Sequence, residues 1–125
     1  MILGIGVDTI EIKRFALWHT YSRKKLARIF SQEEIEYCLQ DKNKSAQRFA
    51  VRFAAREALY KALSYAYPDK KVPFLKLCTH TTITKINGLP QIIIHDSIDT
   101  NHVTIHLSLS HSHTIATAFV VVEQK

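Results

Sequence analysis

An α+β fold is what this sequence predicts, from three observations. An apolar strand opens the chain, a long alanine-rich helical stretch fills its middle, and strict apolar–polar alternation marks its last third. Residues 1–9 read as a buried strand, with Ile2, Leu3, Ile5 and Val7 set around two glycines and Asp8 closing the apolar run. Residues 11–19 suit a short helix that turns Ile12, Phe15 and either Leu17 or Trp18 inward. Residues 21–29 place Arg23, Lys24, Lys25 and Arg28 around Leu26 and Ile29, the pattern of an amphipathic basic helix. Ser31-Gln32-Glu33-Glu34 is a capping box, in which hydroxyl and carboxylate each serve the other residue's backbone N–H. It predicts a helix to about Leu39, followed by a polar break at residues 41–44.

The longest helix is predicted over residues 45–65. Ala46, Ala50, Ala54, Ala55, Ala58 and Ala62 favour it, Phe49, Phe53, Leu59, Tyr60 and Leu63 recur at helical spacing, and Pro68 stops it. Beyond it, residues 74–86 are rich in Thr, Leu and Ile and read as a strand. Asn87-Gly88 is a hairpin turn, because both positions tolerate positive φ, and residues 91–95 return from it. Val103, Ile105, Leu107 and Leu109 alternate with Thr104, His106, Ser108 and Ser110, as in a strand with one covered face. Residues 114–123 form the last strand.

A chain of 125 residues suits one domain, residues 1–125. Its net charge of +6 favours acidic or phosphate-rich partners, or is simply a soluble basic surface. Cys38 and Cys78 have no metal-site spacing and read as free thiols of a reducing compartment. Asp8 and Glu11 interrupt the first apolar run, so neither a signal peptide nor a membrane span is expected, and the expected location is cytoplasmic.

Several residues are suited to chemistry. A carboxylate at the end of an apolar strand, as at Asp8, is solvated, paired, bound to a cation, or caps the next helix. Glu57 and Lys61 stand four apart on the long helix, either as a surface ion pair or as a functional pair framed by small apolar residues. Arg48, Arg52 and Arg56 repeat every four residues; they repel one another unless anions lie close, and a phosphate-bearing ligand is one source of those. His111, between Ser110 and Ser112, could serve a phosphate or be a turn residue bonded to backbone.

Taken together, these residues carry a resemblance. Ile5-Gly6-Val7-Asp8-Thr9-Ile10-Glu11-Ile12-Lys13-Arg14 resembles the GxDxxExxR opening of bacterial holo-[acyl-carrier-protein] synthases. The run from Arg52 to Ala62 is similar to their RFAxKEAxxKA helix, Asn87 to Pro90 to their NGKP turn, Ile105 to Ser112 to their VHVSITHT strand end, and Ala116 to Glu123 to their closing strand. The family is the small branch of the 4'-phosphopantetheinyl transferases. The resemblance implies a long helix packed on an antiparallel sheet, and transfer of 4'-phosphopantetheine from coenzyme A (CoA) to a serine of acyl carrier protein in fatty acid biosynthesis. It further implies a homotrimer with active sites between subunits, and a magnesium ion held by Asp8 and Glu57. Lys61 is implied at the diphosphate, Arg52, His111 and more weakly Arg48 at the nucleotide end, and Arg14, Lys24, Lys25 and Arg28 at the acidic carrier protein. Glu57, or a water on the metal or on Asp8, is implied as the base.

Three positions depart from the family pattern. Tyr21 stands where arginine is frequent, Arg56 replaces a lysine, and Leu63-Ser64-Tyr65-Ala66-Tyr67-Pro68 replaces a glycine-rich turn. A nucleic-acid binder is a competing reading of the charge, but the aromatic-and-glycine strand motifs of single-strand RNA readers are missing. A carrier-protein-binding module without catalysis is the other; it has no use for Asp8, Glu57 and Lys61 together. Membrane association is not expected.

Overall fold

The computed structural model of the chain describes residues 1–95 and 98–125. It begins with strand β1 (Ile2–Glu11), two turns of 3-10 helix (Ile12–Phe15 and Trp18–Thr20), and helices α1 (Arg23–Leu26) and α2 (Gln32–Leu39). Helix α3 (Ser45–Ala66) and helix α4 (Phe74–Thr79) follow, then strands β2 (Thr81–Ile86), β3 (Leu89–Ile94), β4 (Val103–His111) and β5 (Ile115–Gln124). The strands make an antiparallel sheet of order β1-β5-β4 and a separate β2-β3 hairpin, so the α+β expectation holds.

One face of the sheet packs on α3. Gly4 and Gly6 on β1 permit the close approach: a Cβ on either would lie within about 2 Å of a carbonyl oxygen, of Ala62 and Ala58 respectively. The helix answers with Ala54, Ala58 and Ala62, all fully buried. From β5 come Ala116, Ala118, Val120 and Val122, also fully buried. An aromatic cluster fills the far side of α3, where Trp18 lies 4.4 Å from Phe15 and Phe30 lies 5.1 Å from Phe49. Trp18 therefore takes the inward position and Leu17 is left exposed.

The capping box forms as expected, with the Glu34 N–H donating to Ser31 Oγ at 3.3 Å and the Ser31 N–H to Glu34 Oε2 at 2.9 Å. The hairpin turn is also as expected, with φ of 52° at Asn87 and 79° at Gly88. Alternation along β4 holds, Ile105, Leu107 and Leu109 being partly covered while Thr104, His106 and Ser108 are exposed.

Three local expectations are corrected. Residues 74–79 are helical and not part of a strand, because Phe74, Leu77 and Cys78 are spaced to face the core together on a helix. Residues 11–19 are a strand end followed by 3-10 turns. Between residues 21 and 29 only Arg23–Leu26 is α-helical, started by Ser22, whose Oγ accepts the Lys25 N–H at 3.2 Å. Among the described residues, no helix is long and apolar enough to cross a membrane.

Candidate active site

The crossing of β1 over α3 assembles the first cluster. Two residues beyond Gly6, Asp8 turns the same face of β1 toward the helix. Lys61 reaches across, its Nζ donating to Asp8 Oδ1 at 3.2 Å and to the Val7 carbonyl at 3.0 Å. This replaces two simpler readings. Lys61 pairs with Asp8 and not with Glu57 on its own helix, and Asp8 caps no helix, because β1 continues past it to Glu11.

Glu57 stands beside this pair, half-buried, and accepts no hydrogen bond among the described residues. Burial raises its carboxyl above the ordinary carboxylate range; the charge of Asp8 raises it further, and Lys61 and Arg14 offset part of the rise. Two carboxylates thus share a half-shielded corner with one ammonium. A hard dication that takes one or two carboxylates and completes its shell with water and phosphate oxygens suits this donor set. Among the described residues, no group of three or more His, Cys, Asp or Glu could hold a metal, so protein atoms would supply only part of such a shell.

The second cluster lies on another face of α3. A cleft of about 540 Å³ opens between α3, Tyr37 of α2, the β2-β3 hairpin and the end of β4. Lys44, Arg48, Arg52, Lys85 and His111 line it. His111 Nε2 meets Gln47 Nε2 at 2.9 Å, a side-chain contact in place of the alternative backbone one. Arg48 donates to the Tyr37 carbonyl at 2.8 Å, and Arg52 donates to the Arg48 carbonyl at 3.3 Å. Arg52 Nε is buried without a partner among the described residues.

Arg56, the third arginine of the repeat, is not available to a ligand. It is fully buried, its Nη1 donating to Glu34 Oε1 at 2.8 Å and its Nη2 to Glu34 Oε2 and, at 2.7 Å, to the Thr81 carbonyl. The expectation that three like charges need external anions therefore applies to Arg48 and Arg52 alone. The basic residues near the chain start are exposed: Arg14 on the first 3-10 turn, Lys24 and Lys25 on α1, and Arg28 just after it. Lys25 Nζ sits 3.9 Å above the Tyr21 ring. Cys38 and Cys78 are buried free thiols, both pushed up to about 12 by burial, and take no part in either cluster.

Sequence reasoning missed Tyr37, Gln47, Lys44 and Lys85. Lys85 precedes the legible hairpin turn and could have been found from it. Nothing in the spacing of Tyr37 ties it to arginines 11 and 15 positions later.

A sheet-backed helix with a half-shielded carboxylate pair on one face and an arginine-lined cleft on another is suited to a divalent cation and to phosphate-bearing ligands. The family model described as 4'-phosphopantetheinyl transferase superfamily matches residues 4–118, and the chain belongs to that superfamily. It is 35% identical over 123 residues to a holo-[acyl-carrier-protein] synthase of Treponema denticola, spanning 98% of this chain and 99% of the relative. The fold matches a Bacillus anthracis holo-(acyl-carrier-protein) synthase solved in complex with CoA (3',5'-ADP), at TM-score 0.79 and 29% identity, over 100% of this chain and 99% of that one. It also matches the Helicobacter pylori holo-[acyl-carrier-protein] synthase in complex with coenzyme A, at TM-score 0.70 and 32% identity, over 95% and 99%.

Proposed function

We propose that residues 1–125 form one transferase domain that moves 4'-phosphopantetheine from CoA to a serine of an acyl carrier protein, in the cytoplasm and in support of fatty acid biosynthesis. The observation that carries this reading is the meeting of Asp8, Glu57 and Lys61 where β1 crosses α3, in a chain of this superfamily. In the reaction the serine oxygen attacks the phosphorus next to pantetheine. The bond from that phosphorus to the bridging oxygen breaks, 3',5'-ADP leaves with the electron pair, and the serine proton passes to a base.

Glu57 fits the role of base. Burial and the charge of Asp8 raise its carboxyl, which makes it a better proton acceptor than an ordinary carboxylate. Lys61 carries the ammonium nearest the two carboxylates, and it would stabilise negative charge gathering on the departing oxygen. Asp8 and Glu57 would hold magnesium, which when bound neutralises charge on the diphosphate oxygens as the P–O bond breaks. Arg48, Arg52 and His111 would take the 3'-phosphate end of the nucleotide.

Helix geometry supports an active site made by two copies of the chain. Arg52 and Lys61 are nine residues apart, about 2.5 turns, so they stand roughly half a turn out of phase on α3. The acidic cluster of one subunit would then face the basic cleft of its neighbour across a homotrimer. The outer face of the sheet offers a surface for such packing. Ile5 and Val7 are each 52% exposed and Phe119 43%, with Val7 directly paired to Phe119.

Magnesium-dependent release of 3',5'-ADP from CoA plus apo-acyl carrier protein tests the reading. No release from folded protein, with CoA and magnesium saturating, would overturn it. The exposed Arg14, Lys24, Lys25 and Arg28 suit the acidic carrier protein. Lys24→Glu together with Lys25→Glu should raise the KM for carrier protein about tenfold, most strongly at low salt, and leave the KM for CoA in place. Equal rises in both constants would remove α1 from the docking surface.

A further inference from the structure

Tyr37 has a place in the basic cleft that no feature of the reaction described so far requires. Its ring lies under both free arginines, 3.9 Å from the Arg48 guanidinium carbon and 4.6 Å from that of Arg52. Its carbonyl also accepts the Arg48 hydrogen bond, at 2.8 Å, so one residue of α2 anchors two cations of α3. Arg52 is only 8% exposed, and its Nε finds no partner among the described residues. Neither arginine is in an ion pair among the described residues, whereas Arg56, one turn on, has Glu34.

Two guanidinium groups one turn apart, one of them nearly dry, repel each other and would otherwise swing apart toward water. A π face favours cations over it and is most effective where water is excluded. Unlike a carboxylate partner, the ring consumes no N–H, so that apart from the single Nη1 bond each arginine makes to a backbone carbonyl the remaining donors can serve a ligand. An aromatic ring is therefore suited to hold two arginines together while leaving them able to bind an anion.

We propose that Tyr37 is a positioning residue that holds Arg48 and Arg52 as a preformed pair for a terminal phosphate dianion. It thereby sets the preference for CoA over the same molecule lacking its 3'-phosphate. This rests on the assignment of Arg48 and Arg52 to that phosphate. Because the pair is assembled before the ligand arrives, the gain lies in binding and not in the chemical step.

The test is steady-state transfer with CoA and with 3'-dephospho-CoA, both on the same carrier protein. Wild-type protein should have the lower KM for CoA. Tyr37→Leu should raise the KM for CoA about tenfold, hold kcat, and leave the KM for dephospho-CoA unchanged. Tyr37→Phe, which retains the ring, should retain the preference. Because a leucine could loosen α2, a second series keeps the shape: phenylalanine at 37 with increasing ring fluorination should erode the preference stepwise as the π face weakens.

If wild-type protein uses both substrates with equal KM, the phosphate assignment fails and the role of Tyr37 fails with it. If wild-type protein prefers CoA and the preference survives fluorination intact, the assignment stands and the role of Tyr37 is overturned. A Tyr37→Leu variant that loses kcat equally on both substrates would mark Tyr37 as a packing residue only.

Discussion

Glu34 on α2 meets α3 at Arg56, Glu57 is the next residue of α3, and the two glutamates are treated in opposite ways. Glu34 is buried and fully served. It accepts from the Ser31 N–H and Ser31 Oγ at 2.9 Å each, from the Ile83 N–H at 3.2 Å, and from both Nη atoms of Arg56. Its partner is equally occupied, because Arg56 also donates to the carbonyls of Arg52, Cys78 and Thr81. Glu57, the residue after Arg56, is half-buried, accepts no hydrogen bond among the described residues, and faces the like charge of Asp8. A carboxylate whose lone pairs are all occupied ties elements together: here α2, α3 and β2 directly, and α4 through Arg56. A carboxylate kept partly dry and underserved has capacity left for a proton or a cation.

The sharpest way to test that contrast is to remove each charge without changing shape. Glu57→Gln should fold normally by circular dichroism and lose about 10²–10⁴-fold in kcat, because it removes both a base and a cation ligand. Near-normal turnover would exclude Glu57 from both roles and leave the contrast without functional content. Glu34→Gln should do the reverse. Leaving Arg56 buried without its counter-charge should cost about 3–5 kcal/mol, read from denaturant midpoints at unchanged slope. The double variant Glu34→Gln with Arg56→Met should recover much of that loss, since the stranded charge is gone. Equal destabilisation of single and double variants would mean that the neutral hydrogen bonds of Glu34 and Arg56, and not their charge pairing, carry the stability of this junction.

How far the sequence foretold these features depends on how local each one is. The capping box could be read because Ser31 and Glu34 are one turn apart, and the hairpin because Asn87-Gly88 accepts φ that few dipeptides accept. The same glutamate's second role could not be read. Arg56 lies 22 residues from Glu34, and spacing alone offered a repeat of three arginines on one helix. Lys61 likewise suggested Glu57 as its partner at helical spacing, while the fold supplied Asp8 from 53 residues away. Helix α4 was masked by the Thr- and Ile-rich run that follows it, although Phe74, Leu77 and Cys78 already had helical spacing. Where the family turns through glycines after the long helix, this chain keeps α3 going to Ala66 and ends it with the Tyr67 N–H on the Leu63 carbonyl at 2.8 Å.

The smallest expected effect is a pH dependence carried by Glu57 alone. Its folded carboxyl lies above its unfolded value, by burial first and by Asp8 second. The folded state therefore binds the proton more tightly. The stability this contributes is fully present below the unfolded carboxylate pKa of about 4.3, and is lost as pH rises through the raised folded value. Glu57→Gln has no such proton to lose. The melting temperature of the variant, measured without divalent ions, should gain slightly on that of wild type across this range and then hold a constant difference at higher pH. Magnesium should close the gap from the wild-type side, because a cation between Asp8 and Glu57 relieves the repulsion that raises the carboxyl. Parallel melting curves for the two proteins at every pH would mean that Glu57 is no more strained than a surface glutamate, and its difference from Glu34 would reduce to exposure.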